Sequence, residues 1–270
     1  MTEPKNHDQV HSPSYRLAAL DQDFLLGDSM RGVRFLLEYA KAEERLRAWG
    51  VRSTIVVFGS ARITEGTGGS AQDGHRARWY EQARRFGKLA SEKGGSLYPL
   101  NGQRDNVIAT GGGSGIMEAV SRGASEAGAP AIGFNITLPN EQEPNAYLTP
   151  DLTFNFHYFA MRKMHLAMRA NALVVFPGGF GTLDELFEIL TLHQTGKVSS
   201  VPVVLFDRAY WTKLINFEFL VEERMIAPAD LTLFGFADDY EELWTTLVKR
   251  GLREHTPEHA QPKPPEGEAP

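Results

Sequence analysis

The segment PGGFGTLDE (177–185) places a carboxylate, Glu185, directly behind three glycines and a threonine. An ionised carboxylate beside a bound sugar can stabilise positive charge that develops at the anomeric carbon, or it can orient an attacking water. A second interpretation is purely structural. Thr182 and Glu185 have the spacing of a capping box, in which the threonine caps a helix and the glutamate binds back to the cap. The residues by themselves leave both interpretations open.

Two neighbouring cations, Arg162 and Lys163, lie just after the apolar run LTFNFHYF (152–159). Arginine binds a phosphate as a two-pronged donor and lysine binds it as a point charge, so the pair is suited to hold a phosphate group. The alternative is a solvated helix start. Cations are slightly disfavoured at that end of a helix, so this alternative leaves their position unexplained.

Three predicted strands end in glycine-rich turns, at residues 59–62, 111–115 and 178–182. Glycine lets the backbone approach a phosphate closely, and the helix that follows offers free N–H groups and a positive dipole end. The alternative is that the glycines only make tight strand-to-helix turns. Neither the Walker A pattern nor the Rossmann G-x-G-x-x-G pattern fits, so a standard ATP or NAD site is not predicted.

The elements that must position these residues alternate between strand and helix. Short β-branched runs bounded by glycine predict strands, and periodic apolar residues predict helices between them. The predicted strands are 53–60, one beginning at 105, 131–136, 152–159, 172–179 and 201–207, and the segments 66–74 and 94–106 are predicted surface insertions. The helices include 183–196 and a single helix over 210–225. This alternation predicts an α/β fold with a parallel sheet that helices cover on both faces.

The chain is predicted to form one domain, residues 23–252, because no repeat or linker divides it. Residues 1–22 are expected to be a flexible N-terminus, and residues 253–270 a disordered tail. Apolar residues between Phe24 and Trp49, Val33, Leu36 and Leu37 among them, recur near helical spacing. They predict an N-terminal helical extension over residues 23–50, in two pieces.

Composition excludes several classes of function. The 270 residues carry a formal charge of −6 and no cysteine, which rules out disulfides, cysteine-zinc sites and a cysteine nucleophile, and argues against a nucleic-acid partner. We expect no metal, because His157 and His165 have no carboxylate at ligand spacing. The N-terminus lacks an apolar leader, and no apolar run approaches the ~20 residues that span a bilayer. A cytoplasmic protein without a membrane partner is therefore expected.

The sequence resembles the Lonely Guy (LOG) family, whose members are often mislabelled lysine decarboxylases. The segment PGGFGTLDE is similar to the family signature P-G-G-x-G-T-x-x-E, and Arg162-Lys163 matches the family's R-K pair. GGGSGIME (111–118) is similar to its G-G-G…G-[IL]-M element, and FGSAR (58–62) to the end of its first strand. The resemblance covers about residues 54–245.

The resemblance implies a Rossmann-like homodimer that cleaves the N-glycosidic bond of nucleoside 5′-monophosphates and releases the base and ribose 5-phosphate. It implies that Arg162 and Glu185 are the catalytic pair and that neither a metal nor an organic cofactor takes part. No context for a pyridoxal phosphate lysine is present, so a decarboxylase is not expected. The residues onto which the family's substrate contacts carry over are Ser60, Gly112, Gly113, Ser114, Lys163, Gly178, Gly179, Gly181 and Thr182.

The sequence departs from the short plant-type members of this family. Phe159-Ala160 stand where those members have Met-His, and Leu192 and Thr195 replace a Trp and a Leu. These departures favour a long bacterial-type enzyme that acts on AMP or another purine monophosphate over one specific for cytokinin riboside monophosphates. The rival hypothesis is a non-catalytic carrier of a nucleotide or of molybdenum cofactor on the same fold, which would have no need of the Arg162 and Glu185 pair.

Overall fold

The computed structural model describes residues 5–66, 71–138, 143–198 and 201–253. Seven strands are found in these ranges: β1 (Thr54–Phe58), β2 (Val107–Thr110), β3 (Ala131–Ile136), β4 (Thr153–Phe156), β5 (Ala170–Val175), β6 (Val203–Phe206) and β7 (Gly235–Ala237). They form one sheet in the order β4-β3-β2-β1-β5-β6-β7. Every neighbouring pair is parallel, which confirms the predicted parallel sheet.

Helices cover both faces of this sheet. The described helices are α1 (His7–His11), α2 (Gln22–Leu26), α3 (Arg31–Ala48), α4 (Ala71–Lys93), α5 (Ile116–Glu126), α6 (Phe159–Met168), α7 (Phe180–Gln194), α8 (Arg208–Leu214), α9 (Phe217–Glu222) and α10 (Tyr240–Lys249). Strand β1 shows the division, because Ile55 and Val57 pack with α4, α5 and α10, whereas Val56 and Phe58 pack with α3, α6 and α7. The predicted α/β fold, a single domain with a Rossmann-like layout, is confirmed.

The strand order places the site at the centre of the sheet. From β1 the chain runs outward to β4 on one side, and it then returns to add β5 on the other side of β1. Ligands of such sheets bind beyond the carboxyl ends of the strands at the position where the order reverses. The turns after β1 and β5 border this position, and the turn after β2 is next to it.

Two predictions about elements are wrong. The single helix predicted over 210–225 is two helices, because Ile215 is extended and the Asn216 side chain then accepts a hydrogen bond from the Phe219 N–H at 3.0 Å, which begins α9. The predicted insertion over 66–74 partly belongs to α4, a helix of 23 residues that begins at Ala71. Residues 67–70 lie outside the described residues.

The N-terminal extension consists of short helical turns followed by α3. Between residues 5 and 30, α1, α2 and the 3-10 turns bury none of their residues. Helix α3 buries Ala42, Glu43 and Leu46 against the domain. Among the described helices, none is both long and apolar enough to cross a membrane. The tail predicted to be disordered lies, from residue 254 onward, outside the described residues.

Candidate active site

Arg162 and Glu185 form a buried ion pair at the carboxyl edge of the sheet. Arg162 lies in the first turn of α6 and Glu185 in the second turn of α7. Nη1 of Arg162 is 3.1 Å from Oε1 of Glu185, and their side chains are only 12% and 7% exposed. The two candidate catalytic residues, 23 positions apart in the chain, are thus in direct contact.

Burial dominates the electrostatics of this pair. It raises the pKa of Glu185 above the ordinary glutamate value, although the charges of Arg162 and Lys163 act to lower it. Burial also lowers the pKa of Arg162, against the attraction of Glu185 and Asp184. Removal of either partner therefore leaves a desolvated charge without its counterion, which is far more costly than the loss of a surface ion pair.

The capping-box interpretation of Thr182 and Glu185 is wrong. Helix α7 begins at Phe180 with Gly179 as its cap residue, three positions earlier than a Thr182 cap would require, and no side chain caps it. Thr182 is buried in the first turn, and Glu185 lies beyond that turn and faces Arg162. A helix that starts directly after two glycines has no need of a side-chain cap if its free N–H groups bind a ligand.

The start of α7 leaves backbone donors at the edge of the sheet. The first helical hydrogen bond runs from the Leu183 N–H to the Gly179 carbonyl at 3.0 Å. The N–H groups of Phe180, Gly181 and Thr182 precede it, so they have no carbonyl of the preceding turn to bind. Free N–H groups and the positive end of the helix dipole together suit an anion such as a phosphate.

Hydrogen bonds join the three glycine-rich turns into one surface. The Ser60 N–H donates to the Pro177 carbonyl at 3.0 Å, which connects the turns after β1 and β5. The Ile116 N–H donates to the Ser60 carbonyl at 3.1 Å. The Ser114 hydroxyl donates to the Ala61 carbonyl at 3.1 Å, which connects the turns after β1 and β2. The structure therefore brings together all three turns that the sequence singled out.

Arg162 lies against the second of these turns. Its Nε donates to the Phe134 carbonyl at 2.7 Å, and a Cβ built on Gly111 would lie only 2.5 Å from its Nη2. A side chain at Gly111 would therefore displace the guanidinium. Next to it, Gly112 adopts a φ of +76°, and a Cβ there would collide with the Asn135 amide. Both glycines are required by the packing of this turn.

Lys163 binds two carboxylates of α7. Its Nζ is 2.7 Å from Oδ2 of Asp184 and 2.9 Å from Oε2 of Glu188, both on α7. Burial acts to lower its pKa, but hydrogen bonds to Asp184 and Glu188 raise it above the ordinary lysine value. Lys163 borders an open groove of about 630 Å³, with Phe180, Phe187 and other residues of α7. The structure thus engages Lys163 with two carboxylates of α7, and its contact with the substrate stays a prediction.

Several residues that support the site carry no recognisable sequence motif. Asn145 donates through Nδ2 to the carbonyls of Gly112 and Gly113, at 3.2 and 3.0 Å. The hydroxyl of Tyr210 contacts the turn after β5. Asp207, at a φ of +70°, accepts a hydrogen bond from Trp79 Nε1 at 2.7 Å. Of these three residues only Asp207 had a signal in the sequence, because it is the polar last residue of a predicted strand and therefore lies at the ligand-binding edge.

A metal site is not evident in the part of the chain that the structure describes. No three His, Asp or Glu side chains there come close enough together to hold an ion.

The sequence family described as "Possible lysine decarboxylase" matches residues 117–247. The probable cytokinin riboside 5′-monophosphate phosphoribohydrolase LOG4 of Oryza sativa subsp. japonica is 32% identical over 152 residues, which are 54% of this chain and 64% of that protein. The cytokinin riboside 5′-monophosphate phosphoribohydrolase LOG3 of Arabidopsis thaliana is 30% identical over 158 residues, 57% of this chain and 69% of that protein. This chain belongs to the LOG family.

The LOG relatives are phosphoribohydrolases, so hydrolase activity is a property of the family. The chain spans about two thirds of the length of these relatives, 64% of one and 69% of the other. Among solved structures, the molybdenum cofactor binding protein of the phototrophic bacterium Rippkaea orientalis is 20% identical with a TM-score of 0.46, and the match covers 73% of this chain and 96% of that one. A structural genomics target, TM1055, is 21% identical with a TM-score of 0.49, over 73% of this chain and 99% of that one. At these scores neither structure bears on the reaction.

Proposed function

We propose that this LOG protein hydrolyses the N-glycosidic bond of purine nucleoside 5′-monophosphates such as AMP. The observation that supports this proposal most directly is the buried contact between Arg162 and Glu185 beside three joined glycine turns. A carboxylate and a cation held out of water at a phosphate-binding edge are what cleavage of a phosphorylated ribose requires.

In this proposal the 5′-phosphate binds the backbone donors of the glycine turns. Phe180, Gly181 and Thr182 offer the N–H groups at the start of α7, next to Gly178 and Gly179. The turns that contain Ser60 and Gly112–Ser114 complete the binding surface. The guanidinium of Arg162 orients the phosphate or the ribose. The Lys163 ammonium binds two carboxylates of α7 and thereby holds α7 beside α6.

Glu185 supplies the chemistry in this proposal. As the bond between C1′ and the base nitrogen breaks, its electron pair leaves with the base, and positive charge develops on the ribose. The ionised carboxylate of Glu185 stabilises that charge or orients the attacking water. Water adds its hydroxyl group to C1′ and its second proton goes to the base, so the products are the free base and ribose 5-phosphate.

The preferred base is proposed to be a purine without the cytokinin side chain. Plant relatives are named for cytokinin riboside 5′-monophosphates. Short plant-type members differ from this chain at Phe159 and Ala160, near Arg162, and at Leu192 and Thr195, at the end of α7. These substitutions support AMP as the first substrate to test, with a cytokinin riboside monophosphate as its comparison.

A homodimer is proposed as the working form. Phe180 is 93% exposed and Phe187 is 40% exposed, and both line the open groove beside Lys163. Exposed apolar side chains around a groove are typical of a protein interface. Sedimentation of the wild type and of a Phe180→Ser, Phe187→Ser double variant tests this proposal, and we expect the double variant to sediment as a monomer. The cytoplasmic location stays a prediction.

The decisive experiment is a base-release assay. The protein is incubated with AMP, IMP, GMP and CMP, and free base is separated by chromatography. We expect the wild type to release base from the purine nucleotides. Glu185→Ala and Glu185→Gln should lose this release but still bind nucleotide. The control Glu188→Gln, which removes a carboxylate one turn later on α7, should release base at a near-normal rate. Turnover like that of the wild type in the Glu185 variants contradicts the assignment. Tight nucleotide binding without any base release supports the carrier alternative instead.

A further inference from the structure

The N-terminal helix α3 faces the helix that carries Arg162. One face of α3 packs on the domain, and its residues recur at helical spacing: Arg34, Phe35, Glu38, Tyr39, Ala42, Glu43 and Leu46. The four residues nearest the start of α3 in this set are half-buried, and each of them has a partner in or next to α6. The extension is therefore attached along the whole length of α6.

Glu38 supplies the start of α6 with a cap. Its Oε1 accepts a hydrogen bond from the backbone N–H of His157 at 2.8 Å, and its Oε2 accepts one from the N–H of Tyr158 at 3.2 Å. Tyr158 is the cap residue of α6 and offers no side-chain cap of its own. A carboxylate at this end binds otherwise free donors and interacts favourably with the helix dipole.

Two further residues of α3 fix Tyr158 itself. Nε of Arg34 donates to the Tyr158 hydroxyl at 2.9 Å, and Nη1 of Arg34 donates to the carbonyls of Leu25 and Gly27 at 2.8 and 2.7 Å. The ring of Phe35 meets the Tyr158 ring edge to face at 4.3 Å between centroids. The backbone, the ring and the hydroxyl of Tyr158 are thus all held by the extension.

Tyr158 is directly connected to the catalytic pair. Its carbonyl accepts the hydrogen bond from the Arg162 N–H at 3.2 Å, in the first turn of α6. A shift of Tyr158 therefore moves the backbone from which Arg162 reaches Glu185. At the other end of α6, Glu43 binds Arg169 at 2.7 Å, which anchors the same two helices without touching the first turn.

We propose that Glu38 is a positioning residue, through which α3 fixes the first turn of α6 and thereby the contact of Arg162 with Glu185. Glu38 does not touch the reacting atoms in this proposal, and its effect on the reaction passes through Tyr158. The inference rests on the proposed hydrolase function for its kinetic consequence. Its structural consequence, the state of the Arg162 and Glu185 pair, can be measured without turnover.

The kinetic test compares Glu38→Ala with Glu38→Gln and with the control Glu43→Gln. We expect Glu38→Ala to lower kcat about tenfold with KM changed less than about twofold, because the shift misplaces a catalytic group rather than the binding surface. Glu38→Gln keeps an oxygen that accepts an N–H and should restore kcat to within about threefold of wild type. Glu43→Gln should lower the melting temperature but keep kcat. A folded Glu38→Ala protein with wild-type kcat overturns the proposal.

The second test is a titration of the Glu185 carboxyl carbon by ¹³C NMR. Arg162 acts to lower the pKa of Glu185, so a displaced Arg162 in Glu38→Ala should leave that pKa higher than in the wild type. An unchanged pKa overturns the positioning role, whether or not the wild type releases base from any nucleotide. If Glu38→Ala does not fold, Glu38→Asp, whose shorter side chain draws the carboxylate away from the N–H groups of His157 and Tyr158, is titrated in its place and judged by the same criterion.

Discussion

Tyr210 donates its hydroxyl hydrogen to the carbonyl oxygen of Gly178 across 2.7 Å. A side chain from α8 therefore holds the signature turn between β5 and α7 in place. The ring of Tyr210 is in turn packed edge to face against Trp79 of α4, at 5.6 Å between centroids. The position of the turn thus depends on helices that lie on both sides of the sheet.

Replacement of Tyr210 by phenylalanine removes this hydrogen bond but keeps the ring packing. We expect the free energy of unfolding to fall by about 1 kcal/mol, and KM for AMP to rise about threefold to tenfold with a smaller change in kcat. Denaturant unfolding and steady-state kinetics measure the two effects. Tyr240→Phe is the control, because the hydroxyl of that tyrosine donates to the exposed Glu241, away from the turn. Equal kinetic effects of the two variants would contradict a role of Tyr210 in the turn.

The acid limb of the activity profile should report on Glu185. Its raised pKa means that the carboxyl stays protonated to a pH above the ordinary glutamate value of 4.5, so kcat/KM should rise with pH through a midpoint above that value. Arg162→Gln removes the partner that acts to lower this pKa and should move the midpoint of the residual activity to higher pH. A midpoint that stays in place in this variant would show that another group controls the limb.

Gly112→Ala should lower stability and base release more than Gly196→Ala, which places alanine in a similar left-handed backbone conformation. Gly196 is a matched control, because its φ of +65° is also left-handed. A Cβ built on Gly196 has nothing within 4 Å, whereas a Cβ built on Gly112 meets the Asn135 amide. We expect Gly196→Ala to cost about 1 kcal/mol and to leave base release intact. Gly112→Ala should cost more and abolish release. Thermal unfolding and the AMP assay check both, and equal losses of stability would contradict the role of the Asn135 contact.

The stability of the protein should fall on mild acidification because of His165. This ring is buried between Tyr39, Phe134 and Phe156, and burial, assisted by the charge of Arg169 and opposed by Glu43, lowers its pKa below the ordinary value of 6.5. The unfolded chain therefore takes up the proton first as the pH falls below about 6.5, and stability is lost from there down to the folded pKa.

His165→Phe keeps the stacked ring and removes the titration. Melting temperatures at pH 7.5 and pH 5 should differ less in this variant than in the wild type. His193, whose pKa burial also lowers, remains and accounts for part of the difference that is left. An unchanged difference would show that His165 does not contribute.

The sequence predicted β1, β2, β5 and β6 well, because each is a short run that contains β-branched residues and is largely buried by the sheet. It predicted α3 but not its packing face. Leu36 and Leu37, which the apolar pattern favours for the core, are 63% and 53% exposed, whereas the half-buried Glu38 lies against α6. Periodicity detects a helix but cannot show that polar side chains on one face will find partners more than a hundred residues away.

The role of Glu185 was ambiguous in sequence for a similar reason. A threonine with a glutamate three residues later describes a capping box only if the helix begins at the threonine, and local pattern fixes such boundaries poorly. The start of α7 at Phe180 and the contact with Arg162 come from the tertiary arrangement of α6 and α7 on the same face of β5.

The central position of β1 has a consequence for synthesis of the chain. All five residues of β1 are buried, and the strand pairs with β2 on one side and β5 on the other. A nascent chain that ends before residue 170 therefore contains β1 to β4 but leaves the most apolar edge of its sheet unpaired, which is where partly made chains associate wrongly. When β5 is synthesised it pairs with β1 and covers that edge. Helix α7 follows and brings Glu185 to Arg162, so the site is completed only after the exposed edge of β1 has been paired.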